Sequence, residues 1–300
     1  MATIIPFVRA LDIEYGHVEQ LSPLIRRVTA NNPSPFTFKG TGTYIVGRGD
    51  VAVIDPGPAD DDHLAALERA LQGERVAHIL ITHTHNDHSP LAAALQAKLG
   101  GRTFGYGPHG SGKAEEGIVV EEGGDMMFAP DVRVADGALI GGEGYTFECV
   151  FTPGHTSNHM CYALREEHAL FTGDHVMGWS TTVIAPPDGD MRAYMLSLHK
   201  LLTRDEAVMW PTHGPPVTEP RPFLRALIAH REEREAAVLS CLKDGFTRIP
   251  EMVARIYADT DKRLWPAASL SVLAHLQKLI AEGRARAEGN ALLGAQFFSR

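Results

Sequence analysis

The chain has 300 residues, of which 44% are hydrophobic and 22% charged, with a net charge of −9. This profile excludes a disordered polymer and allows one large domain or two ordinary ones. No apolar run reaches the ~20 residues that cross a bilayer, and the net acidity argues against a general polyanion binder.

The N-terminal stretch "MATIIPFVRALDIEYGH" carries arginine and acidic residues where a secretory leader keeps its apolar core, which predicts a cytoplasmic protein. Cys149, Cys161 and Cys241 are odd in number and widely spaced, so they read as reduced, buried thiols. In chain order, "GTYIVG" (42–47) and "VAVIDPGP" (51–58) read as strands separated by the turn "RGD". "DDDHLAALERALQG" (60–73) opens on aspartates, keeps apolar residues at helical spacing and stops at glycine, so it reads as a helix. "VAHILITH" (76–83) is a buried strand, after which Ser89 is expected to cap and Pro90 to open a helix through "LAAALQAKLG". "YTFECVFTP", "HMCYALRE", "HALFTGD" and "AVMWPTHG" follow as strands between 145 and 214. Strands both before and between helices predict a layered α/β protein with mixed sheets.

The Pro-rich "GPPVTEPRP" (214–222) marks a domain boundary, predicting units at 1–220 and 221–300. The first unit holds 15 Lys+Arg against 28 Asp+Glu, or −13, and the second holds 13 against 9, or +4. Beyond the boundary the pattern turns helical over 223–245, 249–259 and 266–283, and "RARAEGNALLGAQFF" closes the chain as a hairpin. Three helices and a hairpin make a winged-helix pattern.

Chemistry concentrates in "LITHTHNDHSP" (80–90), which crowds His83, His85, Asp87 and His88 into six positions after an apolar run. Buried polar groups cost a few kcal/mol each when unpaired, so this stretch is either a solvated loop or a metal site. His83 and His85 point the same way if the segment is extended. Asp87 and His88 follow where the chain turns, aimed at a second nearby point. Other apolar runs end in His155 ("TPGH"), Asp174 ("TGD") and His213 ("THG"). Five histidines and two aspartates at strand ends suit two borderline metals such as zinc, and no cysteine joins the set.

With "HTHNDH" matching the signature His-x-His-x-Asp-His, and "TPGH", "TGD" and "THG" following in order, the chain resembles the metallo-beta-lactamase superfamily. The resemblance implies an α/β, four-layer αββα sandwich with the metals at one edge of the sheets. It implies that His83, His85 and His155 hold one metal, that Asp87, His88 and His213 hold the other, and that Asp174 bridges both. Asp87 and Asp174 are then the catalytic carboxylates. "NNPSPFTFKGTGTYIVG" and the C-terminal pattern are similar to the beta-lactamase-like-2 group, which includes endoribonucleases acting on single-stranded RNA. Gly42 departs from that group's usual "GTNTY", and "HSPL" replaces its "HSGG".

The implied chemistry is a binuclear hydrolase in which two divalent ions, zinc first and iron or manganese as substitutes, share a bridging hydroxide. Asp174 and the lack of an export leader separate the chain from the superfamily's lactamases, and His85 separates it from the di-iron flavoproteins, which place glutamate there. The expected substrate is a small ester, thioester or lactone, because the unit surrounding the metals is acidic. Cleavage of single-stranded RNA is the alternative, with Lys278, Arg284 and Arg286 as phosphate contacts. No membrane partner is expected, and a homo-oligomer is left open. "GPHGSGKA" (107–114) imitates half a phosphate-binding loop but ends in Ala114 where Ser or Thr is needed, so it reads as a plain loop. His159 is expected to orient a ligand rather than to be one, Asp55 to tie loops together, and His175 to play a structural role.

Overall fold

The computed structural model describes residues 3–110 and 123–300; the loop-like stretch 107–114 therefore lies partly outside the described residues. A seven-stranded mixed sheet runs in the order β1 (Val18–Gln20), β2 (Ile25–Thr29), β3 (Gly42–Arg48), β4 (Asp50–Ile54), β5 (Arg75–Leu80), β6 (Arg102–Gly105) and β7 (Val132–Arg133). Strands β1 to β4 pair antiparallel, whereas β4 to β7 pair parallel through crossovers carrying α1 (Asp61–Ala70) and α2 (Ala92–Leu99). The second sheet has five strands: β8 (Leu139–Gly142), β9 (Tyr145–Phe151), β10 (Met160–Leu164), β11 (Ala169–Gly173) and β12 (Val208–Pro211). Its strands are antiparallel except for the β11–β12 pair, which α3 (Met191–Leu202) connects.

Four layers follow from the period of two along each strand. Tyr44 and Val46 of β3 face the second sheet and meet Tyr145, Phe147, Tyr162 and Phe171 in a core between the sheets. Ile45 between them points the other way, onto Leu64 and Leu67 of α1 and Leu95 of α2. Met160, Tyr162 and Leu164 of β10 likewise point inward. Cys161 and Ala163 pack outward beneath Tyr194 and Leu198 of α3 and Leu224 and Leu227 of α4 (Pro220–Lys243). Both faces of both sheets are buried, which is why the strands read as continuous apolar runs rather than clean alternations.

Helix α4 belongs to two cores. Phe223, Leu224, Leu227 and Ile228 pack on the second sheet, while Val238, Cys241 and Leu242 join a separate cluster with α5 (Ile249–Ile256), α6 (Trp265–Ala281) and the hairpin β13 (Ala285–Glu288)–β14 (Gln296–Ser299). The predicted C-terminal winged helix is present as three helices and a two-stranded wing.

Two local details differ from expectation. Ser89 does not cap α2: its hydroxyl donates to Asp125 at 2.8 Å, and the helix starts at Ala92 on a Leu91 cap without a side-chain bond. Helix α3 is absent from the sequence-predicted elements, although Asp190 caps it by accepting from Ala193 N. By contrast, Asp60 caps α1 as its aspartate-rich start predicts. All three cysteines are free and buried, and burial pushes the Cys161 thiol up to about 12.

Candidate metal centre

The loops that leave β4, β5, β9, β11 and β12 at their C-terminal ends gather at one edge, and each carries a residue expected at the site. His83 Nε2 lies 3.0 Å from His85 Nδ1, and His155 Nε2 lies 3.1 Å from that same atom. Beside them, His213 Nε2 is 2.9 Å and His88 Nε2 3.4 Å from Asp87 Oδ2. Asp174 stands between the two groups, with Oδ2 at 3.6 Å from His88 Nε2 and 3.9 Å from His155 Nε2, and Oδ1 at 3.5 Å from His213 Nε2. All seven sequence-predicted residues therefore meet in two adjoining clusters. Groups that could hold a metal ion are His83–His85–His155, His83–His88–Asp174 and Asp87–His88–His213. Ligands on a tetrahedral zinc, at ~2.0–2.1 Å from the ion, are roughly 3.3 Å apart, which is the spacing of these donors.

The polar atoms at the centre fit a cation and little else. Asp87 Oδ1 and Oδ2, Asp174 Oδ1, His88 Nε2 and His213 Nε2 are buried and make no aligned hydrogen bond. The outward nitrogens of His83, His88, His155 and His213 are engaged. His88 Nδ1 donates to Asp55 Oδ2 at 2.9 Å, His213 Nδ1 to Gly40 O at 3.1 Å and His155 Nδ1 to Val183 O at 2.8 Å. Thr82 Oγ1 gives its proton to Asp55 Oδ2 at 2.7 Å and so accepts from His83 Nδ1 at 3.1 Å. A proton held on Nδ1 of these four histidines leaves the lone pair of each Nε2 pointing inward, the tautomer that binds a metal, whereas His85 turns its Nδ1 toward His83 and His155.

Charge within the cluster is divided. Burial and the neighbouring imidazoles push His83 well below the ordinary histidine range, and burial with His155 does the same to His85. Burial also works against protonation of His213, but Asp174 and Asp87 lift it to about 8, and Asp87 and Asp174 raise His88 well above its ordinary value in the same way. Against the cost of burial, His88 and His213 hold the Asp87 carboxyl far down in the ionised range. Without a cation, two carboxylates depend on imidazolium partners; a metal would take over that role and release the protons.

Asp55 ties the site together, as its place in "VIDPG" suggests. Its carboxylate accepts from Thr82 N at 2.8 Å, Thr82 Oγ1 at 2.7 Å, His88 Nδ1 at 2.9 Å and Thr212 Oγ1 at 2.8 Å. It thereby joins the exits of β4, β5 and β12. Thr82 and Thr212 escaped the sequence reading, although each directly precedes a histidine of the set, and the "TH" that occurs at 82–83, 84–85 and 212–213 is the signal that would find them. The carbonyls of Gly40 and Val183 leave no signal in side-chain chemistry. His159 is no donor to the clusters: it stacks on His83 at 5.2 Å between ring centres, and its Nδ1 contacts Thr152 Oγ1 at 2.9 Å. His175 packs on Tyr194, 4.7 Å between ring centres.

Two glycines of the motifs are demanded by space. A Cβ on Gly154 (φ +142°) would sit 2.3 Å from Tyr194 Cα, and one on Gly173 (φ +49°) 2.6 Å from His159 Nε2. Gly42, where the related group has asparagine, lies under Arg27, whose Cδ would be 2.9 Å from an added Cβ.

The basic residues of the wing are already neutralised or stacked. Lys278 pairs with Glu235 and Glu282 at 2.6 and 2.7 Å, Arg284 with the same two carboxylates at 2.6 and 3.0 Å, and Arg286 lies over Phe298 at 4.2 Å. Among the described residues, no helix is long and apolar enough to cross a membrane.

Comparison with known proteins agrees with this architecture. Residues 37–213 match the metallo-beta-lactamase superfamily, and residues 249–293 match the beta-lactamase associated winged helix domain. The chain is 32% identical over 282 residues to a beta-lactamase-like protein 2 homolog of Drosophila melanogaster, covering 91% of this chain and 94% of that one. It is 31% identical over 248 residues to an atrochrysone carboxyl ACP thioesterase of Aspergillus terreus, covering 79% and 70%. A metallo-beta-lactamase family protein from Thermus thermophilus shares the fold with a TM-score of 0.75 at 23% identity, over 94% of this chain and 100% of that one. With the family match spanning more than half of the chain and the ligand-type residues gathered at its sheet edge, this protein belongs to the metallo-beta-lactamase superfamily and is a metal-dependent hydrolase.

Proposed function

We propose that the protein hydrolyses a small ester, thioester or lactone at a binuclear centre, with a thioester as the first expectation. The observation that carries this reading is the pair of donor clusters sharing Asp174, with inward lone pairs and orphaned carboxylate oxygens. His83, His85 and His155 would hold one divalent ion, and Asp87, His88 and His213 the other, with zinc favoured by a nitrogen and oxygen set lacking thiolate. Such a pair supplies a water of lowered pKa and a Lewis acid for the substrate oxygen.

The chain's own groups do the rest. Asp55, Thr82, Gly40 and Val183 hold the imidazole N–H groups and so fix the donors in place. Asp87 Oδ1, ionised and without a hydrogen-bond partner, accepts the proton that the attacking water loses. The water oxygen bonds to the acyl carbon, the carbon–sulfur bond breaks, and the proton leaves on the departing thiol. The thioesterase among the relatives supports this substrate class. In this reading residues 1–220 form the catalytic unit and 221–300 a C-terminal unit that walls the substrate, with α4 shared between their cores. Free, buried cysteines support residence in the reducing cytoplasm.

RNA cleavage lacks its electrostatic footing, because Lys278 and Arg284 are already neutralised by Glu235 and Glu282. A panel of acyl thioesters, esters and lactones, run beside labelled single-stranded RNA with zinc-loaded protein, tests the choice. Metal-dependent thioester turnover that Arg284→Glu with Arg286→Glu leaves within about threefold is the expected result. RNA cleavage that collapses on that reversal and falls steeply with salt would overturn it.

A further inference from the structure

Between β11 and α3 the chain passes from Asp174 through Thr182 and Val183, and these two residues brace both donor clusters. Thr182 Oγ1 donates to Asp174 O at 2.6 Å and to His175 O at 3.2 Å. The neighbouring carbonyl, Val183 O, accepts from His155 Nδ1 at 2.8 Å. One side chain from outside the family's catalytic match reaches this brace. Arg231 on α4 is 3% exposed, and its Nη2 donates to Thr182 O. Its guanidinium lies 5.2 Å from the centre of the Tyr194 ring, and Tyr194 OH donates to His175 O at 3.0 Å. Two linked side chains, one on α4 and one on α3, thus clamp the segment from Asp174 to Val183.

Packing alone is a poor reason for this arginine. Its Nε is buried without a partner, and no carboxylate pairs with it among the described residues. A guanidinium taken out of water without an anion is costly, and a methionine would fill similar space without that cost. What methionine cannot do is donate to Thr182 O.

We propose that Arg231 is a positioning residue for the metal centre. By holding Thr182 it fixes the Val183 carbonyl that orients His155, and it steadies the Asp174 backbone through the Thr182 hydroxyl. Helix α4 thereby sets chiefly the affinity of the His83–His85–His155 position, while His88 and His213 are held independently by Asp55 and Gly40. This rests on the reading of His155 as a metal ligand.

The test is zinc affinity of the full-length protein, measured by competition with a chromophoric chelator, with the spectrum of the cobalt-substituted protein as a second readout. Wild type, Arg231→Met, Arg231→Lys, Arg234→Met and His155→Ala are compared. Arg234 is on the same helix but stacks on Tyr257, away from the brace.

Arg231→Met is expected to weaken one zinc equivalent by about 10–100-fold, as loss of a ligand-orienting partner does, and to weaken the other less, through the shared Asp174 alone. Its kcat falls while KM holds. Arg231→Lys, which keeps a donor, recovers most of the loss, and Arg234→Met behaves as wild type. If Arg231→Met binds both equivalents normally while His155→Ala loses one, the positioning role is wrong. If His155→Ala itself keeps both, the ligand assignment is what fails.

A measurement on wild-type protein keeps the idea testable should Arg231→Met not fold. Coupling is reciprocal, so stripping the metal must speed amide exchange both at 182–184 and in the α4 turn around Arg231. Unchanged exchange in that turn overturns the proposal.

Discussion

Asp55→Asn changes one atom type and almost no volume, yet it breaks the logic that keeps His88 a ligand. Asp55 Oδ2 accepts from His88 Nδ1 at 2.9 Å, Thr82 Oγ1 at 2.7 Å and Thr212 Oγ1 at 2.8 Å, while Oδ1 accepts from Thr82 N at 2.8 Å. An asparagine that keeps its oxygen toward Thr82 N turns its NH2 toward His88 Nδ1. The threonine hydroxyls can rotate, but two N–H groups then face each other. The relief is a tautomer shift that puts the proton on Nε2, where no cation can bind. The opposite amide orientation sets NH2 against the Thr82 N–H and is no better. A hydrogen bond to a charged group contributes about 1.5–3 kcal/mol, and about 1.4 kcal/mol is tenfold in affinity. The Asp87–His88–His213 position should therefore bind zinc about 10–100-fold more weakly, and the His83–His85–His155 position less so, through the Thr82 hydroxyl that holds His83 Nδ1. Chelator competition measures both equivalents, and urea unfolding of metal-free protein should show a loss of about 1.5–3 kcal/mol. An Asp55→Asn protein that holds both zinc ions at wild-type affinity would refute the argument that Asp55 sets the His88 tautomer.

Further outcomes are expected at the donors and in the C-terminal core. Asp174→Ala and His85→Ala should each cut thioester turnover by more than about a hundredfold, about 2.7 kcal/mol of barrier, with the far-UV spectrum unchanged; activity within about tenfold of wild type would remove them from the site. His275 lies buried on α6 with both ring nitrogens unpartnered, and burial, with Arg231 and Lys278 nearby, lowers it to about 3. The unfolded chain binds that proton near ~6.5, so His275 favours folding above that pH, and this stability is lost as pH falls from ~6.5 towards 3. Between pH 7 and 5 the loss is about 2 kcal/mol. His275→Leu should flatten the acid arm of the stability curve by that amount; parallel curves for the two proteins would contradict it.

The donors and most of the local order are legible in the chain before it folds. Histidine and aspartate at "HTHNDH", "TPGH", "TGD" and "THG" name the donors because residue type, spacing and strand-end position are all local properties. Asp60 as a cap, the Arg48–Gly49–Asp50 turn and the apolar runs of β3, β5 and β10 are legible for the same reason. Ser89 misled because a competing acceptor, Asp125, comes from a loop 36 positions away. Helix α3 went unread because its apolar residues answer to a surface, the outer face of β9 to β11, that exists only after the sheet forms.

Which donor faces which depends on the folded chain. Asp87 and His213 are distant in sequence, yet their facing atoms are 2.9 Å apart. The carbonyls that lock the tautomers, Gly40 O and Val183 O, carry no side-chain signature, since every residue owns a carbonyl and only the fold aims it. The same holds for Arg231: a guanidinium in a helix of alternating charges looks like a solvated face, and only the packing of α4 against α3 buries it over Tyr194. The wing's basic residues reverse that lesson. The formal charge of +4 on residues 221–300 is visible in the chain, but the ion pairs that neutralise Lys278 and Arg284 depend on α4 bringing Glu235 beside α6. Net charge is a sum over residues, whereas the field a substrate meets depends on where each counter-charge is placed.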